Sequence, residues 1–236
     1  MLPLSNLIFF LEMQNNTIVQ FVDVELKGAL LQQITVSLYQ GDFVYVLGGT
    51  GSGKSTFLKA IAAQLPIQKG QLFVSNMGVH QIKAAEIPYL RRQLGIVRTL
   101  EWLDPKQTVQ QNLSWVLQAI DWDIAEERNQ RIQQVLELLQ LQNLIAQPVG
   151  QLNTTEKIKL TFARALLNNP SILLIDQLLD SLDETTQAEL MTWLKKYHTT
   201  HPITIVLATS QYQLSEKYVG DRLLVCQKNT VVELLT

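Results

Sequence analysis

The amino-acid sequence predicts an α/β fold in which a mostly parallel sheet is covered on both faces by helices and interrupted by a helical lobe. Three observations carry this prediction. Short, continuously apolar, β-branched runs alternate with segments of helical apolar period, the pattern of parallel strands buried between helices. A glycine-rich loop lies directly between one such run and one such helix. A central Gln-rich stretch, from Thr99 to about Gln151, has helical period and no strand signal.

Along the chain, Leu7 to Leu11 (LIFFL) is far short of the ~18 residues a membrane span needs, and no basic residue precedes it. It reads as neither anchor nor signal peptide. Met13 begins MQNNTIVQFVDVEL, a natural first strand, and the dozen residues before it read either as an upstream start or loose arm or as an extra edge strand. Ile18 to Leu26, Leu31 to Leu38 and Phe43 to Leu47 read as strands, with turn signals at Gly28 and Gln40-Gly41-Asp42. Lys54 to Leu65 has a helical period ended by Pro66, and Gly70 to Val74 and Leu94 to Val97 read as strands. After the Gln-rich stretch, strands are expected at Ile172 to Ile175, Ile203 to Ala208, Leu223 to Cys226 and Val231 to Leu234, with helices at Asn153 to Asn168 and Leu182 to Tyr197. The domain is therefore expected to have its core at residues 13–98 and 156–236 and its helical subdomain at about 99–155.

Composition narrows the function. A 47% hydrophobic share, 17% charged residues and a formal net charge of −2 lack the basic footprint of a nucleic-acid binder. The single Cys226 and three histidines (His80, His198, His201) provide neither a disulfide framework nor a spaced metal cluster, which fits a reducing cytoplasm.

The loop GGTGSGKST, Gly48, Gly49, Thr50, Gly51, Ser52, Gly53, Lys54, Ser55 and Thr56, follows the apolar run FVYVL and opens a helix. In Gly48-x4-Gly53-Lys54-Ser55, glycines let backbone amides turn toward phosphate oxygens, Lys54 reaches the terminal phosphates, and the Ser55 hydroxyl can ligate Mg2+. The helix N-terminus adds partial positive charge at the same point. Asp176 closes the apolar run ILLID, where P-loop nucleotide enzymes place a second carboxylate that holds the metal.

The order of this loop, then PYLRRQLGIV, then QLNTTEKIKLTFARALLNNPSILLID, then SLD, resembles the nucleotide-binding subunits of ABC transporters over nearly the whole chain. The stretch IPYLRRQLGIV is most similar to the FtsE cell-division branch. The resemblance implies a P-loop NTPase with a RecA-like parallel-sheet core, N-terminal antiparallel β strands and an inserted helical subdomain. It implies ATP and Mg2+ as ligands, and a head-to-tail dimer, homodimer or heterodimer with a related ATP-binding subunit. It also implies an integral membrane partner, FtsX-like or another permease, and a place on the cytoplasmic face of the membrane.

Carried over residue by residue, the resemblance assigns the phosphate loop to Gly48–Thr56, the metal ligands to Ser55 and Asp176, and the D-loop at the dimer seam to Ser181-Leu182-Asp183. Other positions depart from the family. The glutamine that touches Mg2+ falls on Thr99, and the LSGGE signature falls on Leu152-Asn153-Thr154-Thr155-Glu156. The catalytic glutamate falls on Gln177 and the switch histidine on Ser210, while no aromatic stands between Val24 and Leu30 to stack on adenine. A neutral amide can position water but cannot take its proton, and general-base catalysis is worth about 10²- to 10⁴-fold. Thr154 and Thr155 put β-branched bulk where signature glycines allow close approach to phosphate, although Asn153-x-x-Glu156 still reads as a capping box.

The expectation is an ABC-type subunit that binds Mg-ATP and hydrolyses it slowly or not at all. Two alternatives stand beside it: a nucleotide-independent interaction subunit of a membrane complex, and an active ATPase energising transport in which a neighbouring acid substitutes for Gln177. The next acid, Asp180, reads as loop solvation. Trp102, Trp115 and Trp122 fall in the helical lobe, as internal packing or as the docking surface for a membrane subunit.

Overall fold

A computed structural model describes residues 16–98, 103–119 and 124–234. The expectations for residues 1–12, Thr99, Trp102 and Trp122 lie outside the described residues. In chain order the helices and strands are β1 (Thr17–Leu26), β2 (Ile34–Tyr39), β3 (Phe43–Leu47), α1 (Lys54–Ile61), β4 (Ile67–Val74), β5 (Met77–Gly78), α2 (Ile87–Arg92), β6 (Leu94–Val97), α3 (Val109–Gln118), α4 (Ala125–Leu138), α5 (Thr154–Leu166), β7 (Ile172–Asp176), α6 (Glu184–Thr200), β8 (Thr204–Thr209), α7 (Tyr212–Lys217), β9 (Arg222–Gln227) and β10 (Thr230–Leu234). The chain divides into two compact units, one holding the residues up to Arg91 and from Leu174 onward, the other Arg92–Leu173.

The first unit contains two sheets. An antiparallel sheet has the order β2-β1-β4-β5, and the other sheet runs β10-β9-β3-β8-β7 within this unit. β3 pairs in parallel with β8 (Val44↔Val206) and with β9 (Val46↔Leu224), and β10 returns antiparallel on β9. Every residue of β3 and β8 is buried, as expected for parallel strands covered on both faces. β1 instead alternates, and a bulge at Asp23 (φ 48°) resets its phase so that Phe21 and Val24 both face the core. Gly70 lies opposite this bulge with φ 81°, where an added Cβ would come 2.2 Å from the Asp23 carbonyl oxygen.

Two expected elements are shorter than their apolar patterns. Leu31 is fully buried but precedes the strand, because Gln33 (φ 50°) breaks the extended run before Ile34. α1 ends at Ile61 rather than Leu65, since Ala63 turns left-handed (φ 50°) and closes the helix before Pro66.

The second unit packs α3, α4 and α5 around Leu113, Leu117, Ile132, Val135 and Leu136, all fully buried. It takes in β6 and α5 as well as the Gln-rich stretch. Gly95 in β6 explains the close fit to α5: an added Cβ would lie 2.7 Å from the Ala165 carbonyl oxygen. Thr108 and Gln111 form a capping box at the start of α3. Arg131 donates from Nε to Leu167 O (2.8 Å) and from a terminal nitrogen to Leu166 O (2.6 Å), placing a cation at the carbonyl end of α5. Trp115 is 47% exposed on α3.

Candidate nucleotide site

The site lies within the first unit. β3 delivers the chain to Gly48, which is buried, while Gly49, Thr50 and Gly51 are exposed at the loop tip and Ser52, Gly53, Ser55 and Thr56 are partly covered. The glycines are required by conformation and space. Gly53 has φ 104° and an added Cβ there would meet the Leu31 side chain at 2.7 Å. At Gly48 (φ 154°) it would meet Ser52 Oγ at 2.3 Å and the Cys226 carbonyl oxygen at 2.9 Å.

Lys54, only 3% exposed, curls back over the loop and donates from Nζ to Gly48 O (2.7 Å) and Gly49 O (2.9 Å). Its ammonium charge is thereby held at the loop. Ser52 Oγ is buried with no hydrogen-bond partner among the described residues. No side chain caps the start of α1, and its first turn has no acid. A cation, an orphaned hydroxyl and uncapped helix N–H groups together fit phosphate oxygens.

Beside the loop, Ser55 Oγ donates to Asp176 Oδ1 at 2.7 Å. A hydroxyl and a carboxylate are hard oxygen donors suited to Mg2+, so Ser55 and Asp176 are the residues that would hold it. Gln177 Nε2 donates to Ser55 Oγ (2.9 Å) and approaches Asp176 Oδ1 at 3.5 Å. The Gln177 backbone is left-handed (φ 55°) and its N–H donates to Ala208 O at 3.0 Å, which turns the side chain back onto this corner.

Ser210 is exposed but its polar groups are engaged: N–H (2.8 Å) and Oγ (2.7 Å) both donate to Asp180 Oδ2. Thr209 Oγ1, on a fully buried residue, donates to Asp180 Oδ1. Asp180 is therefore not a loop-solvating acid, as its sequence position implied. Its carboxylate gathers the donors of the turn after β8, and Gln211 Nε2 donates to its backbone carbonyl at 3.2 Å. This joint could not be read from the sequence, because Asp180 and Ser210 meet only through the packing of β7 beside β8.

The remaining predicted positions stand at helix starts. Asp183 caps α6, and the Thr186 N–H that its Oδ1 accepts at 3.0 Å holds the carboxyl below its ordinary range. In the second unit, Asn153 and Glu156 form the expected capping box, with Glu156 N–H to Asn153 Oδ1 at 2.9 Å and Asn153 N–H to Glu156 Oε2 at 2.8 Å. Thr154 is exposed and Thr155 half-buried in the first turn of α5.

Cys226 lies behind the phosphate loop, and burial pushes its thiol up to about 11, against the opposing pull of Lys54. At pH 8 its thiolate fraction is on the order of 10⁻³, so a thiol reagent labels the native chain about 100-fold more slowly than the unfolded chain. Rapid stoichiometric labelling under native conditions would contradict this burial.

The sequence model of the ABC transporter family matches residues 31–179. The cell division ATP-binding protein FtsE of Bacillus subtilis strain 168 is 34% identical over 184 residues, covering 78% of this chain and 80% of that protein. Among solved structures, cbiO1 from Clostridium perfringens, part of the ABC transporter complex cbiONQ, matches with a TM-score of 0.83 at 24% identity, over 92% of this chain and 87% of that one. The dimeric ATP-binding cassette MJ0796, in a post-hydrolysis state with ADP and Pi, matches with a TM-score of 0.78 at 24% identity, over 92% of this chain and 99% of that one. With the family match spanning well over half its length and a relative about one-third identical across most of both chains, this chain belongs to the ABC transporter family as an FtsE-like ATP-binding subunit.

Proposed function

We propose that this subunit binds Mg-ATP and hydrolyses it slowly or not at all, serving a membrane partner as a nucleotide-responsive subunit. The observation that carries this reading is the division of labour in the site: the phosphate loop, Lys54, Ser55 and Asp176 are arranged to hold nucleotide, but an amide stands beside them at Gln177. Lys54 and the loop N–H groups would bind phosphate oxygens, and Ser55 with Asp176 would hold Mg2+, which when bound would offset phosphate charge. Gln177 can orient a water but has no base to take its proton. Ser210, at the switch position, has its hydroxyl proton committed to Asp180. Binding without fast turnover follows.

The subunit would work as a dimer on the cytoplasmic face of a membrane, beside an integral membrane subunit of FtsX or other permease type. No described helix is long and apolar enough to cross a membrane, so that partner would supply the span. The relatives support pairing of two subunits, since MJ0796 is described as dimeric. In a homodimer, Gln177 and the Asn153-Thr154-Thr155 segment would meet in each site. With a competent partner subunit, one site would lack the glutamate and the other would face the altered signature.

Calorimetric titration with Mg-ATP, paired with phosphate release, tests the reading. We expect saturable binding and turnover at least about 100-fold below that of a family member with the catalytic glutamate. Equal turnover would overturn the proposal, and an intact fold without ATP binding would favour the nucleotide-independent interaction subunit. Gln177→Glu alone is expected to raise phosphate release by less than about tenfold, because Ser210 remains tied to Asp180 and contributes nothing at the γ-phosphate. Full recovery from that one change would show that the switch and signature positions are dispensable.

A further inference from the structure

The two end glycines of the phosphate loop are crowded from outside it, by residues far away in sequence. At Gly53, the Leu31 side-chain carbons Cγ, Cδ2 and Cδ1 lie 2.7, 2.9 and 3.0 Å from where a Cβ would stand. Leu31 has no exposed surface. Its branched end therefore covers one side of the Gly53 backbone, and close packing leaves that backbone no room to swing toward it. At Gly48 the crowding atom is the Cys226 carbonyl oxygen of β9, 2.9 Å from the corresponding position. Leu31 itself belongs to neither strand nor helix, so its own place must be set by its neighbours. They are pinned by the turn between β9 and β10: Gln32 N–H donates to Asn229 O at 2.6 Å, and Thr230 Oγ1 donates to Gln33 O at 3.3 Å. Lys228 (φ 47°) and Asn229 (φ 64°) are both left-handed, the conformation of a tight two-residue hairpin turn. Gln32 Nε2 also donates to Ala29 O at 3.2 Å, closing the loop that carries Leu31 on itself.

We propose that Leu31 is a positioning residue for phosphate binding and that the β9–β10 turn holds it there. This rests on reading Gly48–Thr56 as the phosphate site. Gly53 is the residue from which α1 starts, so fixing its backbone at φ 104° fixes the direction of the first N–H groups of that helix. Such donors hold a ligand only when kept within about 0.5 Å of their productive place by packed neighbours. Leu31 supplies that support at one end of the loop, and β9 supplies it at the other. The hairpin turn at Asn229 thereby acts on phosphate donors that it is not part of.

Hydrogen exchange of the nucleotide-free full chain, read over Gly48–Thr56, and titration with Mg-ATP test this together. In Leu31→Ala the loop is expected to exchange about tenfold faster and Mg-ATP to bind about tenfold more weakly. Leu194→Ala, which truncates another buried leucine, on α6, should lower the melting temperature but leave both readouts within about twofold of wild type. Leu31→Met, close to leucine in volume, should bring both back to within about threefold. Asn229→Pro cannot adopt φ 64° and moves the carbonyl off Gln32, so faster exchange of Gly48–Thr56 is expected there too. Loop exchange in L31A no faster than in L194A would overturn the proposal, and an unchanged loop in N229P would overturn the part given to the hairpin. Should L31A not fold, Leu31→Val carries the same comparison. Failure of wild type to bind ATP would overturn the reading of the loop as a phosphate site, while the exchange rates would still decide whether Leu31 and the turn set its conformation.

Discussion

Lys54→Ala is expected to weaken Mg-ATP binding by roughly 150-fold, about 3 kcal/mol, the cost of truncating one partner of a desolvated charge contact. Lys54 is nearly buried and already oriented by Gly48 O and Gly49 O, so its charge is presented to phosphate with little further ordering. Calorimetry on the variant, with melting measured alongside to show that the loop still folds, checks the prediction. Lys54→Arg should not rescue, because a planar guanidinium cannot occupy the compact position between the two carbonyls. Affinity within a few-fold of wild type would mean that the loop amides alone carry the binding.

Asp180→Ala should lower stability by about 3 kcal/mol, a fall of roughly 6 to 12 °C in the melting midpoint. Three donors converge on this carboxylate, from Thr209 Oγ1 and from Ser210 N and Oγ, and Thr209 has no exposed surface through which water could replace the lost acceptor. Ser210→Ala removes only the outermost of these bonds, on an exposed residue, and should cost at most about 1 kcal/mol. Asp180→Asn should fall between the two, since the amide keeps one acceptor oxygen but presents N–H2 to donors. Equal melting of Asp180→Ala and wild type would remove the basis for treating the 180 loop and the 209–210 turn as joined.

The parts of the site that depend on neighbours in sequence were legible before any fold was known. The phosphate loop is one continuous string of residues between a strand and a helix, and the Asn153–Glu156 capping box spans a single helical turn, so propensity and spacing specify both. Asp176 was legible because a long apolar run that ends in an acid leaves the acid at a strand tip. The short helices α2 and α7 were not anticipated, since six residues provide fewer than two turns in which an apolar period can show. The bulge at Asp23 and its partner Gly70 were equally hidden, because one residue's left-handed turn is matched by a glycine on another strand.

Local order along this chain was thus enough to set the α/β class, the glycine-rich loop between strand and helix, the carboxylate at a strand tip and the presence of an amide beside it. Packing alone decided what that amide and its neighbours do. Gln177 meets Ser55, and Asp180 meets Ser210, only because β3, β8 and β7 lie side by side in the sheet. Hydrogen bonds form between atoms about 3 Å apart whatever their separation in sequence, so partners on different strands leave no periodic signal for a linear reading to detect.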